Sequence, residues 1–306
     1  IAWMGWTGRL HELYPWADLA KLAEHSPAEA HLVANKAGFL NERFFFVRAA
    51  LYFTVWAGIA QFFWSSSLRQ DETGDPAITL RCRKWSGPAM ILFGLSITFA
   101  AFDWMMSLEP TWFSTIFGVQ YFAVSVVSSL AVLIVVTNLL RNSGLLGEAV
   151  SVEHFHDLGK LLFGFLVFWA YITFSQFMLI WYASIPEETT YYHLRFSEGW
   201  RAFSWFLLVC HFFVPFFGIL SRNIKRRVPL LVLGAGWLLV MHVLEVYWLI
   251  MPNANGGAGL EPHWMDVAAL RQATSVLLLS TLGQITQTSI RLAAFYGPSR
   301  KNMATN

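Results

Sequence analysis

Charge is what this sequence has least of: Asp, Glu, Lys and Arg make up only 13% of its 306 residues, against 56% hydrophobic. That shortage excludes a single soluble core of ordinary composition and points to a polytopic membrane protein. Cysteine is nearly absent too. Cys82 falls in a polar connection and Cys210 in an apolar run, so the chain has neither a CxxCH haem-attachment motif nor a Cys-rich iron–sulfur pattern. Any metal centres that pass electrons would then belong to another chain. No basic face or recognition motif supports nucleic-acid binding, and the net charge of +2 says little, because the distribution of Lys and Arg among loops matters more. No signal peptide is visible, and the sequence opens on Ile1, so a processed or incomplete amino terminus is expected.

Long apolar runs fill the rest. Six are long enough to cross about 30 Å of hydrocarbon at about 1.5 Å per residue: Phe44 to Trp64, Gly87 to Leu108, Thr115 to Leu140, Leu161 to Tyr182, Trp200 to Leu220 and Val228 to Met251. A seventh, Val267 to Phe295, is diluted by Ser, Thr and Gln and flanked by Arg271 and Arg291. It is expected to span while packed on protein. Residues 1–43, with Trp3, Trp6 and Trp16 among scattered charges, read as amphipathic surface helix and loop. The expected fold is therefore all-α and polytopic, with six clear spans and one weaker one.

The stretch FDWMMSLEPTWFSTIFG, Phe102 to Gly118, joins the second and third spans and carries an acid, Asp103, in a segment otherwise free of charge from Gly87 onward. An ionisable group at that depth costs a few kcal/mol unless it is paired, protonated or wet, which makes it a functional candidate. The plain alternative is a structural hairpin whose Asp bonds a neighbouring helix.

Loop charges set an orientation. Arg69, Arg81, Arg83 and Lys84, then Arg141 and Lys160, then Arg222, Lys225, Arg226 and Arg227 cluster in alternate connections. The other side carries only Arg195 and Arg201 between later spans, so the basic side is predicted cytoplasmic and Asp103 lies toward the outer side. Arg9, Lys21, Lys36, Arg43 and Arg48 run against this count. The same rule puts the carboxyl terminus in the cytoplasm.

Further ionisable groups fall within the spans. His242 and Glu245 sit at i, i+3 in the sixth, and His211 in the fifth, at depths of about 14 Å and about 16 Å for the two histidines. They could form a proton relay or clamp a bis-histidine haem, or each His could simply bond a neighbour. On the basic side VEHFHDLGKLL sets His154, His156 and Asp157 ahead of the fourth span, as a proton collector or as a polar lead-in to the headgroups. Tyr171, Thr173, Ser175 and Gln176 offer mid-depth groups that bond water or a neighbouring helix.

Several strings together, FDWMMSLEPTWFSTIFG, HDLGKLLFGFLVFWAYITFSQFMLIWYASIPEET, LHELYPWA and KAGFLNERFFFVRAALYF, resemble the F subunit of bacterial alternative complex III, a quinol:electron acceptor oxidoreductase. The match runs from Leu10 to about Asp266, and the sequence after Trp264-Met265-Asp266 departs from the family's usual final helix. The resemblance implies the NrfD/PsrC-like fold of two four-helix bundles with flanking helices. Residues 44–108 would then be the rest of the first bundle, 109–251 the second, and 252–306 an outer loop, final helix and cytoplasmic tail. It further implies a non-catalytic subunit of the bacterial inner membrane, a scaffold with a proton path, beside a sister quinol-binding subunit, an iron–sulfur protein and a multihaem cytochrome c. No cofactor is expected on this chain; quinol, iron–sulfur clusters and c-type haems are expected on the partners. By position, Asp103 falls in the family's DWMMSL motif and His156 and Asp157 in its HDLGK motif, whereas Gln176, His211, His242 and Glu245 rest on depth and spacing. A purely structural docking subunit and a stand-alone proton-coupled transporter are the alternatives. The transporter ought to show inverted repeats with broken helices; no repeat stands out, although Pro215 and the Gly234, Gly236 pair interrupt two spans.

Overall fold

The structure is a computed structural model that describes residues 10–144, 150–197 and 199–254. The expected seventh span lies outside these residues. Two short helices, α1 (Leu19–His25) and α2 (Pro27–Ala34), precede a long hairpin of α3 (Glu42–Thr73) and α4 (Pro76–Trp104). Then come α5 (Thr115–Asn142), α6 (Val152–Ala183) and the short α7 (Pro186–Arg195). The fifth span is composite: α8 (Arg201–Leu207), a π-helical stretch Leu208–Phe213 and α9 (Val214–Leu220). A short α10 (Arg222–Arg226) leads into α11 (Val228–Ala254). Among the described residues six spans are long and apolar enough to cross a membrane, and there is no strand. The protein is an all-α polytopic membrane protein.

Local chemistry sets the helix ends. Asn41 caps α3 by accepting the N–H of Phe44 at 3.0 Å, and Gly74 ends that helix at φ +64°, a left-handed conformation that glycine adopts without penalty. Asp75 then caps α4, with Pro76 in its first turn. The turn is thus two residues, where hydropathy predicted a polar connection from Trp64 to Gly87. Hydropathy marks where hydrocarbon ends, not where the hydrogen-bonded ladder ends. The polar ends of α3 and α4 continue as a paired extension, tied by Gln70 Nε2 donating to Thr79 Oγ1 at 2.6 Å and by Arg81 over the Phe62 ring. In the same way α6 starts at Val152, so its first turns carry the VEHFHD residues.

Four spans share one core. Val124, Val127, Ala131 and Ile134 of α5, Phe155, Leu162 and Leu166 of α6, Ile219 of α9, and Leu231, Ala235 and Leu238 of α11 bury together. The α3–α4 hairpin packs on this unit through α4. Gly118 of α5 meets Thr98 there, and Gly159 of α6 faces Leu231 of α11. At the opposite end from the basic connections, Leu10, Tyr14, Trp16 and Val33 form a cap over Phe45 at the start of α3. It is fastened by the Tyr14 hydroxyl donating to the Trp104 carbonyl at 3.1 Å and by Lys36 Nζ donating to the Pro110 carbonyl at 2.6 Å.

Candidate functional site

Glu245 is placed by α11 inside the four-span unit, where only 2% of the residue is exposed. Its Oε1 accepts the indole N–H of Trp169 on α6 at 2.8 Å. Its Oε2 lies 3.4 Å from His211 Nδ1, without hydrogen-bond alignment. His211 is as deeply buried, and its imidazole stacks on Trp169 with ring centroids 4.0 Å apart. Among the described residues no Lys or Arg pairs with Glu245, and both His211 nitrogens lack a hydrogen bond. A buried polar group left unmade in this way costs about 1–3 kcal/mol.

The backbone at His211 is itself irregular. Pro215 has no N–H to give the carbonyl four residues back, which is His211's, and the chain widens into the π-helical stretch just before it. Trp237 of α11 donates to the loosened Cys210 carbonyl at 2.8 Å. Such π-turns recur at functional sites. Here the widened turn carries His211 inward against Trp169 and Glu245.

Beyond Glu245, toward the end away from the basic connections, several buried polar atoms lack partners among the described residues: Gln120 Oε1, Thr173 Oγ1, Gln176 Oε1 and the Tyr191 hydroxyl; His242 Nδ1, one turn toward the basic end, also lacks one. Gln176 Nε2 reaches the Tyr192 hydroxyl at 3.4 Å, a long contact. Tyr171, by contrast, is turned outward and 65% exposed. Toward the basic end the picture reverses. Leu162, Leu166, Ala131, Ile134, Leu231 and Leu238 fill the interior with apolar side chains.

The structure therefore brings together Glu245 and His211, with His242 one turn from the acid. It keeps the other candidates apart. Asp103 is fully buried but held elsewhere: Arg48 of α3 grips it through Nε and Nη2, both at 2.8 Å, and the Tyr52 hydroxyl donates at 2.6 Å. Arg48 also donates to the Phe39 carbonyl and lies over the Phe39 and Phe44 rings. At the start of α6, exposed His154 folds back on Ser151, accepting its backbone N–H at 3.1 Å. His156 Nδ1 lies 3.9 Å from Glu153, and Asp157 bonds Lys160 at 2.7 Å. From Asp157 to Trp169 the helix rises about 18 Å through the apolar interior.

Sequence reasoning missed Trp169, Gln120, Arg48, Tyr52 and Arg195. Arg48 had a usable signal, since it and Asp103 lie at similar depth from the same end of adjacent helices. Trp169 and Gln120 had none, as each sits in a run of similar residues. Among the described residues no group of three His, Cys, Asp or Glu could hold a metal ion. No protein-family model matches the chain, and a search of curated proteins finds no match either.

Proposed function

We propose that this chain is the membrane scaffold of a quinol-oxidising electron-transfer complex of the alternative complex III type, and that Glu245 is its proton-exchanging group. The observation that carries the proton role is a carboxyl buried among four spans with no Lys or Arg beside it among the described residues, in contact with an imidazole and an indole N–H. A group so placed holds or yields a proton in response to small changes around it. The trail of unpartnered polar atoms at Gln120, Thr173, Gln176 and Tyr191 supports exchange toward the end that bears Asp103. His211 and His242 act as local proton partners of the acid. His154, His156 and Asp157 would receive protons at the basic end, and hydration of the apolar stretch between must accompany transfer.

Membership of the complex rests on the resemblance of the long strings given above. In that setting the iron–sulfur clusters, c-type haems and quinol belong to partner subunits, and this chain contributes the proton-handling groups and a rigid platform. The bonded pairs at Asp103 and Arg195 favour the platform role at the outer end. The test is to purify the assembled complex carrying Glu245→Gln, which retains the Trp169 bond, and to count protons released per quinol oxidised in vesicles. Assembly and electron transfer are expected to persist while proton release falls. An unchanged ratio rejects the exchange role; failure to co-purify with redox partners in the unaltered chain rejects the complex.

A further inference from the structure

We infer that the cavity between the end of α5 and the start of α11 binds the phosphate of an anionic membrane phospholipid. This open cleft has a volume of about 580 Å³ and is lined by Asn138, Arg141, Asn142, Val228, Pro229 and Val232. Asn138, Arg141 and Asn142 stand at i, i+3 and i+4, so α5 presents them on one face. Together they offer a guanidinium fork and two amides, donors that match the oxygens of a phosphodiester.

Among the described residues these donors have no hydrogen-bond or ion-pair partner. Arg226 pairs with Glu153 at 2.6 Å, Lys160 with Asp157, and the Lys225 ammonium donates to the Leu220 carbonyl. Arg141 differs. Among the described residues it has no carboxylate partner, only the Phe155 ring 5.8 Å from its guanidinium carbon. Arg227, next to the cavity-lining Val228, likewise has no acidic partner among the described residues. A cleft at the end of two spans whose guanidinium has no carboxylate among the described residues is a place where an anion lowers the energy.

The other wall explains why the anion is a lipid. The side chains of Val228, Pro229 and Val232 offer a phosphate oxygen no donor, but they suit the glycerol and first methylenes of an acyl chain. One turn deeper, Ile134 and Leu231 are fully buried and close the way into the bundle. Leu133, Leu230 and Leu233 remain exposed on the outside, where the chains of the lipid would run. Basic pockets between helix ends on the positively charged side of a membrane protein hold acidic headgroups in this manner. This inference does not depend on the quinol reading.

The test uses the full chain in detergent, titrated with phosphatidylglycerol or phosphatidylcholine and read by native mass spectrometry. Phosphatidylglycerol is expected to bind more tightly than phosphatidylcholine. Arg141→Ala should weaken it about fivefold, the factor expected for one basic residue near a lipid surface. Arg69→Ala, in the α3–α4 turn region, should leave affinity unchanged. Should Arg141→Ala fold poorly by circular dichroism, Asn138→Leu and Arg141→Lys serve instead, the first weakening binding and the second retaining most of it. Equal affinity in the Arg141 and Asn138 variants overturns the site. Full competition by inorganic phosphate at matched concentration overturns the lipid assignment.

Discussion

Arg48 and Asp103 meet fork to fork, Nε to Oδ2 and Nη2 to Oδ1, both at 2.8 Å, although 55 residues separate them along the chain. The pair closes the α3–α4 hairpin at the end opposite its two-residue turn, and Tyr52 and the Phe39 carbonyl complete its bonding. Breaking one side leaves a buried charge alone. Asp103→Asn or Arg48→Met is expected to cost about 3–5 kcal/mol and to lower the thermal unfolding midpoint in detergent. Because removing both charges abolishes the stranded one, Arg48→Met with Asp103→Leu should recover most of the loss. A double variant no better than either single one would refute the pairing account.

Gly118 tests the packing of α4 on α5. A Cβ there would overlap Thr98 Cγ2 and stand 3.1 Å from the Thr98 backbone, so the helices must part to admit it. Gly118→Ala should destabilise by about 1–3 kcal/mol. Gly236→Ala meets nothing within 4 Å and should be neutral or slightly stabilising. The comparison of the two unfolding midpoints is the measurement.

Arg195 looked like a stray positive charge on the wrong side. It is in fact buried, with Nη2 donating to the Leu249 carbonyl at 2.8 Å, Nη1 to the Tyr191 carbonyl at 3.0 Å, and its guanidinium carbon 3.4 Å from the Tyr191 ring centre. It ties α7 to the end of α11. Lysine cannot reproduce the planar fork or the stack, so Arg195→Lys should lose about 2 kcal/mol. Limited proteolysis near the end of α11 should rise in step.

Lys36 gives a pH signature. Burial pushes its ammonium below the ordinary value of 10.5, with Glu109 opposing that shift. The unfolded chain therefore binds more protons than the folded one between the lowered value and the ordinary one, and stability rises with pH across that interval. Lys36→Met lacks this dependence. Relative to Lys36→Met, the unaltered protein should gain stability as pH is raised through the alkaline range toward 10.5, and lose that gain on return to neutrality. Chemical unfolding at two pH values checks the sign.

Legibility in the sequence differed between kinds of feature. The VEHFHD spacing does put His154 and Asp157 one turn apart, but their partners, Ser151 and Lys160, are local and exposed, which spacing could not reveal. The depth argument set His211 level with His242, since depth follows from counting residues along a helix of fixed rise, and the structure places His211 against Glu245, one turn further along the helix that carries His242. Counting gives no azimuth. Nothing in the string told that Trp169 would stack on the imidazole and bond the carboxyl, or that the turn before Pro215 would widen.

The amino-acid sequence alone determined that the chain is helical, that six of its runs are long and apolar enough to span a membrane, and where scarce charges fall along them. These properties are sums along the chain, and hydropathy adds locally. The tertiary structure alone decided that Asp103 belongs to Arg48 and Tyr52 while Glu245 belongs to Trp169 and His211. That choice depends on how each helix is rotated about its axis and slid against its neighbours, and buried side chains from several helices fix both together.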